Sequence, residues 1–305
     1  MCCGRISGKN TSRPRWPTSL GENAASVVWA RCRVLRLRVL TALAMATVGL
    51  LGVFALPAAG FALFVGLVLP LLGGWEAARL AGIDHQAARW FYGIGLAALA
   101  AMIHVLALEP AWLLTSACVL WLLNLAWLSR PALGRSGAPT TTAVKLVVLG
   151  GALLAAWLGL SLLQSLSPWL VVLLLVIIAA ADTGAYFSGR HFGGAKLAPT
   201  ISPGKTRAGA LGGLLGAAVL TPVAGAIFPM NPFETFTLAA LAFGIAMISI
   251  GGDLFISLLK RQRALKDTSA LLPGHGGILD RFDSMTAAVP FFALAVLSTT
   301  GTPLP

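Results

Sequence analysis

The stretch WLVVLLLVIIAAA, residues 169–181, holds no charged side chain and stops at Asp182. As a helix it would be apolar on every side, which suits burial in lipid rather than one wet face. With its flanks, 168–187, it reaches the roughly 20 residues needed to cross a hydrocarbon core about 30 Å thick. A second run, FTLAALAFGIAMISIGG at 236–252, stops in the same way at Asp253. The same test along the chain gives nine candidate spans, at about 39–57, 59–74, 91–107, 111–129, 145–165, 168–187, 208–228, 235–252 and 284–301. The first two could also form one re-entrant hairpin. The expected fold class is an all-α polytopic integral membrane protein.

Composition agrees with that reading. Of 305 residues, 57% are hydrophobic and only 10% charged, and the mean hydropathy is +0.86. Soluble domains carry about a quarter charged residues, so a soluble enzyme core is excluded, as are disorder and a secreted disulfide scaffold. The net charge of +12 and pI near 10.6 do not indicate nucleic-acid binding, because the basic residues interrupt long apolar runs. With the N-terminus in the cytosol, the inside segments hold all 22 Lys and Arg, and the outside loops carry only Glu109 and Glu234 as charges. The positive-inside rule therefore predicts an N-in, C-out topology.

The chain divides into a basic cytosolic tail, 1–38, N-terminal membrane helices, 39–130, a Pro/Gly/Ser/Thr linker, 131–144, and a C-terminal membrane region, 145–305. The last carries two long cytosolic loops, 188–207 and 253–284. The tail suits a surface anchor on anionic lipid, a disordered tail or the product of a wrongly assigned start codon, and a cleaved signal peptide is not expected. Cys2, Cys3, Cys32 and Cys118 lack zinc-ligand spacing, and Cys118, inside an apolar run, is expected to be a packing residue.

Six of the ten acids follow residue 181, and five of these face the cytosol: Asp182, Asp253, Asp267, Asp280 and Asp283. An isolated acid at a helix end can simply reach the interface. An acid at the edge of hydrocarbon is otherwise costly, and it calls for a cation or metal partner. The loop at 189–209 contains SPGKT, 202–206. Gly204 lets backbone approach an anion, Lys205 offers a point charge, and Ser202 and Thr206 offer hydroxyls before the next helix begins. The spacing is not that of a Walker A loop. The second loop starts as a helix, with Asp253, Ser257, Lys260 or Arg261, and Asp267 at helical spacing. It then turns through Pro273-Gly274-His275-Gly276-Gly277 and ends on Asp280-Arg281-x-Asp283. Carboxylates that can hold Mg²⁺ beside cations that can neutralise a polyphosphate suggest phosphoryl-type transfer. At the bilayer edge, one substrate is expected to be a lipid.

Ser257, Lys260-Arg261, Lys266-Asp267, the Pro-Gly-His-Gly-Gly turn and Asp280-Arg281-x-Asp283 together resemble the signature of the phosphatidate cytidylyltransferases. The resemblance extends to Gly252-Asp253-Leu254, to SPGKT, and to Asp182-x-Gly184-Ala185-Tyr186. It is strong over about 180–290; residues 1–150 resemble the family only as hydrophobic spans. It implies the nucleotidyl transfer CTP + phosphatidate → CDP-diacylglycerol + diphosphate at the cytosolic face, in a bacterial inner membrane. It further implies Mg²⁺, or Mn²⁺ in its place, on Asp253, Asp280 and Asp283, with Asp182 a weaker candidate. Lys205, Lys260, Arg261 and Lys266 would hold triphosphate, assisted by Ser202 and Thr206. His275, Gly276 and Gly277 would shape the nucleotide side, with Asp267 and Arg281 in the same block. Partners on this reading are the two substrates and the bilayer, with a homodimer allowed and no nucleic acid. Arg207-Ala208 depart from the Trp and acidic or amide residue usual after SPGKT. That departure keeps open a related membrane cytidylyltransferase acting on another lipid phosphate. A CDP-alcohol phosphotransferase would need a DGxxAR…GxxxDxxxD run, which is absent. A transporter would need ionisable residues at mid-span, where His104 is the strongest candidate.

Overall fold

The structure is a computed structural model that describes residues 39–225 and 232–300; the basic tail lies outside them. Helix α1 spans Val39–Ala55. The next crossing, Ala58–Ala81, is one bent rod made of α2 (Ala58–Gly66), a π-helical segment (Leu67–Gly73) and α3 (Gly74–Ala81). Pro70 lies in the π segment; it has no N–H to give to the preceding turn, and the ladder widens there. Then follow α4 (Gln86–Val105), α5 (Pro110–Trp127), α6 (Pro139–Leu166) and α7 (Pro168–Phe192). A short hairpin of β1 (Lys196–Ala198) and β2 (Ser202–Thr206) leads to α8 (Arg207–Gly225), α9 (Pro232–Gln262) and α10 (Leu279–Thr300). Pro110, Pro139 and Pro168 stand in the first turns of α5, α6 and α7, where a missing N–H costs no intrahelical bond.

Seven of the described helices are long and apolar enough to cross a membrane; Val39–Ala55 and Arg207–Val223 are apolar but shorter. The structure corrects several expected boundaries. The second span runs on to Ala81 because its last turns, although polar, remain helical. Residues 139–144 belong to α6 rather than to a linker. Likewise 189–192 continue α7, whereas the helical start expected for the second loop is found, with 253–262 continuing α9. The fold is not purely helical either, since SPGKT is a strand paired antiparallel with β1, with Lys196 opposite Thr206 and Ala198 opposite Ser202.

Helix α6 runs through the core, burying Leu149, Leu153, Ala156 and Leu163 against neighbours on several sides. Cys118 is buried, as a packing residue should be. Phe91, Trp112, Val147, Trp169 and Phe236 remain exposed, an apolar exterior appropriate to lipid. The tightest packing joins α7 to α8. A Cβ on Gly184 would strike the Gly212 carbonyl, so two backbones meet where bulkier residues would hold them apart. That approach fixes Asp182, in the C-terminal half of α7, beside the hairpin and α8.

One end of the bundle gathers the longest of the described loops. Arg261 Nε donates to the Ile201 carbonyl of the hairpin at 3.2 Å, and Gln262 Nε2 to the Leu133 carbonyl at 2.7 Å. Arg263 pairs with Asp84 at 2.6 Å, and Arg79 Nη1 donates to the Thr268 carbonyl at 2.8 Å. The ends of α3, α5, α7 and α9 and the starts of α6, α8 and α10 therefore share one face of the molecule.

Candidate active site

Three helices and the hairpin bring charged groups to this end. Asp182 comes from α7, Asp253 and Lys260 from α9, Asp280 and Asp283 from the first turns of α10, and Lys205 from β2. Lys205 Nζ lies 2.5 Å from Asp253 Oδ2, and Ser257 Oγ, one turn along α9, donates to Asp253 Oδ1 at 3.2 Å. Deeper in, Lys260 Nζ donates to Asp280 Oδ1 at 2.8 Å, with the two side chains 11% and 3% exposed. Asp280 Oδ2 accepts from the Thr268 N–H (2.7 Å), the Thr268 hydroxyl (2.9 Å) and the Gly277 N–H (3.0 Å). Asp280 is thus held by four donors. Asp283 Oδ1 accepts from the Ser284 N–H at 2.7 Å.

A cavity of about 600 Å³ opens over these groups. Asp182, Asp253, Lys260, Asp267, Asp280, Arg281 and Asp283 line it, with Leu175, Ile178, Ala179 and Met285 on its apolar side. A second cavity, about 400 Å³, lies between α7, α8 and the hairpin, and carries Arg190, Gly204, Lys205 and Thr206 among Tyr186, Leu197 and Ile250. Asp182 lines both cavities, and the Lys205–Asp253 pair joins them. One compartment is acidic and polar, the other basic with apolar walls.

Most of the residues expected at the site come together in these two cavities. Others do not. Arg261 is spent on the Ile201 and Leu265 carbonyls, fastening the hairpin and the loop to α9. Lys266 is exposed and lines neither cavity, and Ser202 sits in the strand register opposite Ala198. His275 Nδ1 lies 2.7 Å from Thr41 Oγ1, so the histidine faces α1. Gly276 takes a φ of 81° to form the turn, and Gly277 gives its N–H to Asp280. Thr206 Oγ1 accepts the Gly209 N–H at 3.0 Å and so caps α8. Sequence reasoning missed Thr268 and Ser269, both buried, and Glu76, a fully buried acid in the second span. Glu76 lies beyond residue 74, where the apolar run of the second span ends, so hydropathy did not mark it as an acid inside a span.

Among the described residues, no three acidic, histidine or cysteine side chains converge on a point that could hold a metal by themselves. Lys205 and Lys260 each take one oxygen of Asp253 and Asp280. Asp182 makes no side-chain hydrogen bond among the described residues, and Asp283 Oδ2 accepts none. Such a donor set fits Mg²⁺ in its usual role, held by one or two carboxylates together with substrate phosphates and water.

Comparison with known proteins gives this geometry its context. Residues 36–299 match the model of the cytidylyltransferase family, a stretch that includes the N-terminal helices as well as the signature block. A phosphatidate cytidylyltransferase of Pseudomonas aeruginosa is 41% identical over 266 residues, covering 85% of this chain and 96% of the relative. One from Haemophilus influenzae is 46% identical over 134 residues, covering 41% of this chain and 44% of its own. One from Helicobacter pylori is 44% identical over 117 residues, covering 38% and 42%. With its family model matched from before α1 to the end of α10, and a relative matched along nearly its whole length, the chain belongs to the cytidylyltransferase family.

Proposed function

We propose that this chain is a phosphatidate cytidylyltransferase that forms CDP-diacylglycerol and diphosphate from CTP and phosphatidate. The observation that carries the reading is the single cavity holding Asp182, Asp253, Asp280 and Asp283 with Lys260, joined through Lys205 to a second cavity with apolar walls. The polar cavity is within the size range of small-molecule sites and suits a nucleotide triphosphate. The neighbouring one, with Arg190 among Tyr186, Leu197 and Ile250, suits a phosphate attached to a lipid, and Lys205 stands where the two meet, within reach of the CTP phosphates.

Lys205 and Lys260 neutralise phosphate oxygens and orient them. Such positioning and charge stabilisation supply most of the catalysis in phosphoryl-type transfers. An oxygen of the lipid phosphate attacks the α-phosphorus of CTP, the α–β bridging bond breaks, and diphosphate leaves. A phosphate monoester is ionised at neutral pH, so the attacking oxygen needs no general base. One or two of Asp182, Asp253 and Asp283 would hold Mg²⁺ or Mn²⁺ together with substrate phosphates and water, with Asp280 available if Lys260 moves onto substrate; the ion would supply charge neutralisation at the phosphates. The test is CDP-lipid formation by detergent-purified protein from CTP and phosphatidate, with Mg²⁺ and with chelator. Metal-dependent product is expected. Folded protein that makes product only from a different lipid phosphate would favour the related enzyme, and no product from any would overturn the reading.

We further propose nine crossings with the loop-rich end in the cytosol of a bacterial inner membrane, supported by the confinement of every Lys and Arg to segments that this topology places inside. In a cysteine-free background, Glu109→Cys should label with an impermeant maleimide on intact cells, and Arg135→Cys only after permeabilisation. The reverse pattern would invert the topology. A homodimer is compatible with this arrangement.

A further inference from the structure

Glu76, on α3, is fully buried, and among the described residues it forms no ion pair. Three donors converge on its carboxylate instead, and the Thr268 hydroxyl, whose one proton is shared with Asp280, stands within reach. Oε1 accepts from the Ser269 hydroxyl at 2.6 Å and the Ile278 N–H at 2.9 Å. Oε2 accepts from the Leu279 N–H at 2.7 Å and faces the Thr268 hydroxyl at 2.9 Å. Residues 268–269 and 278–279 are the two ends of the loop that carries the Pro-Gly-His-Gly-Gly turn. One side chain from the N-terminal half of the chain therefore closes that loop. Since Leu279 opens α10, the same carboxylate also caps the helix that presents Asp280 and Asp283.

The link reaches the site through one atom. Thr268 Oγ1 stands 2.9 Å from Glu76 Oε2 and 2.9 Å from Asp280 Oδ2, and Asp280 in turn holds the Lys260 ammonium. Arg79, one turn along α3, takes the Thr268 carbonyl at 2.8 Å and holds the same residue from its other side. Gly277 completes the fit. A Cβ there would strike the Thr268 hydroxyl and both Glu76 oxygens, so the last glycine of the turn leaves room for the Glu76 carboxylate.

We infer that Glu76 is a positioning residue for the transfer reaction, fixing Asp280 and through it Lys260 by way of the Thr268 hydroxyl. This role rests on the cytidylyltransferase reading above. A cap that only stabilised the fold would leave the chemistry of the folded fraction intact, whereas a positioning residue sets the turnover number.

The test measures kcat and KM of the full-length protein in detergent with CTP, phosphatidate and Mg²⁺, beside the thermal midpoint. Glu76→Gln keeps the shape but turns one acceptor oxygen into a donor facing a backbone N–H. Thr268→Val keeps the shape and removes the bridge. Each should lower kcat by roughly 10–100-fold, the usual effect of losing a supporting residue behind a reactive group, with little change in either KM. The double variant should lose no more than the weaker enzyme of the two singles, and Thr268→Ser should restore most of the loss. Wild-type kcat in Glu76→Gln with only a lowered thermal midpoint would overturn the inference. So would losses that simply multiply in the double variant. Should Glu76→Gln fail to fold, Thr268→Val against Thr268→Ser decides alone, and wild-type kcat in the valine variant overturns it. A wild type that forms no CDP-lipid overturns the transfer reading and this role with it.

Discussion

Asp280→Asn is expected to lower turnover by at least about 100-fold, the scale of losing one preorganised electrostatic contact at a reacting centre. The reason lies in how the two carboxylate oxygens are used. Oδ2 takes three donors, from Thr268 and Gly277, so the amide oxygen of an asparagine would settle there. Its NH₂ would then face the Lys260 ammonium, donor against donor, where Oδ1 now accepts at 2.8 Å. The lysine loses its partner in a site where it is 11% exposed, and its ammonium no longer points where phosphate must bind. Breaking a buried pair by altering one member also costs stability, on the order of 3 kcal/mol, so the thermal midpoint in detergent should fall as well. Asp283→Asn is the comparison. Its carboxylate accepts one bond, from its neighbour's N–H, so that variant should keep its midpoint and change mainly the Mg²⁺ concentration needed for activity. Wild-type turnover in folded Asp280→Asn would remove this residue from the reaction.

The contrast between these two aspartates shows where sequence is informative. Asp182, Asp253, Asp280 and Asp283 stand out in the chain because they break or border apolar runs, and although one such acid could simply reach the interface, four of them beside two basic loops call for partners. Their convergence in one cavity follows from helices that end on the same face. The spans were equally legible, because continuous hydrophobicity is a strong signal, while their ends were not. Glu76 and Arg79 remain helical past the end of the apolar run, and hydropathy stops where the side chains turn polar rather than where the hydrogen bonds end. Side-chain direction was the least legible property. Arg261, Lys266 and His275 carry the right identities in the signature block, yet Arg261 binds backbone carbonyls, Lys266 is exposed and His275 meets Thr41. Glu76 illustrates the other limit. The four groups around its carboxylate lie 192 to 203 positions away in sequence, and no local pattern joins them.

Lys205→Ala is expected to reduce kcat/KM for CTP by roughly 10–100-fold, since a hydrogen bond to a charged group contributes about 1.5–3 kcal/mol and each 1.4 kcal/mol is tenfold. Lys205 is 29% exposed and its partner Asp253 28%, so the pair is screened and adds little to folding. The thermal midpoint should therefore stay near that of the wild type, which separates this variant from Asp280→Asn. Removing the ammonium also leaves Asp253 with only the Ser257 hydroxyl, an uncompensated negative charge beside an incoming polyphosphate. Repulsion then adds to the lost attraction, and the KM for CTP should rise more than kcat falls. Lys205→Arg should recover part of the loss by keeping the charge, and not all of it, because a planar fork does not replace a compact ammonium at a 2.5 Å contact. The side chain lies where the two cavities meet, so the substrate whose KM moves identifies the phosphate it holds. A rise confined to phosphatidate would transfer Lys205 to the lipid phosphate beside Arg190, and an unchanged response to both substrates would take it out of the site.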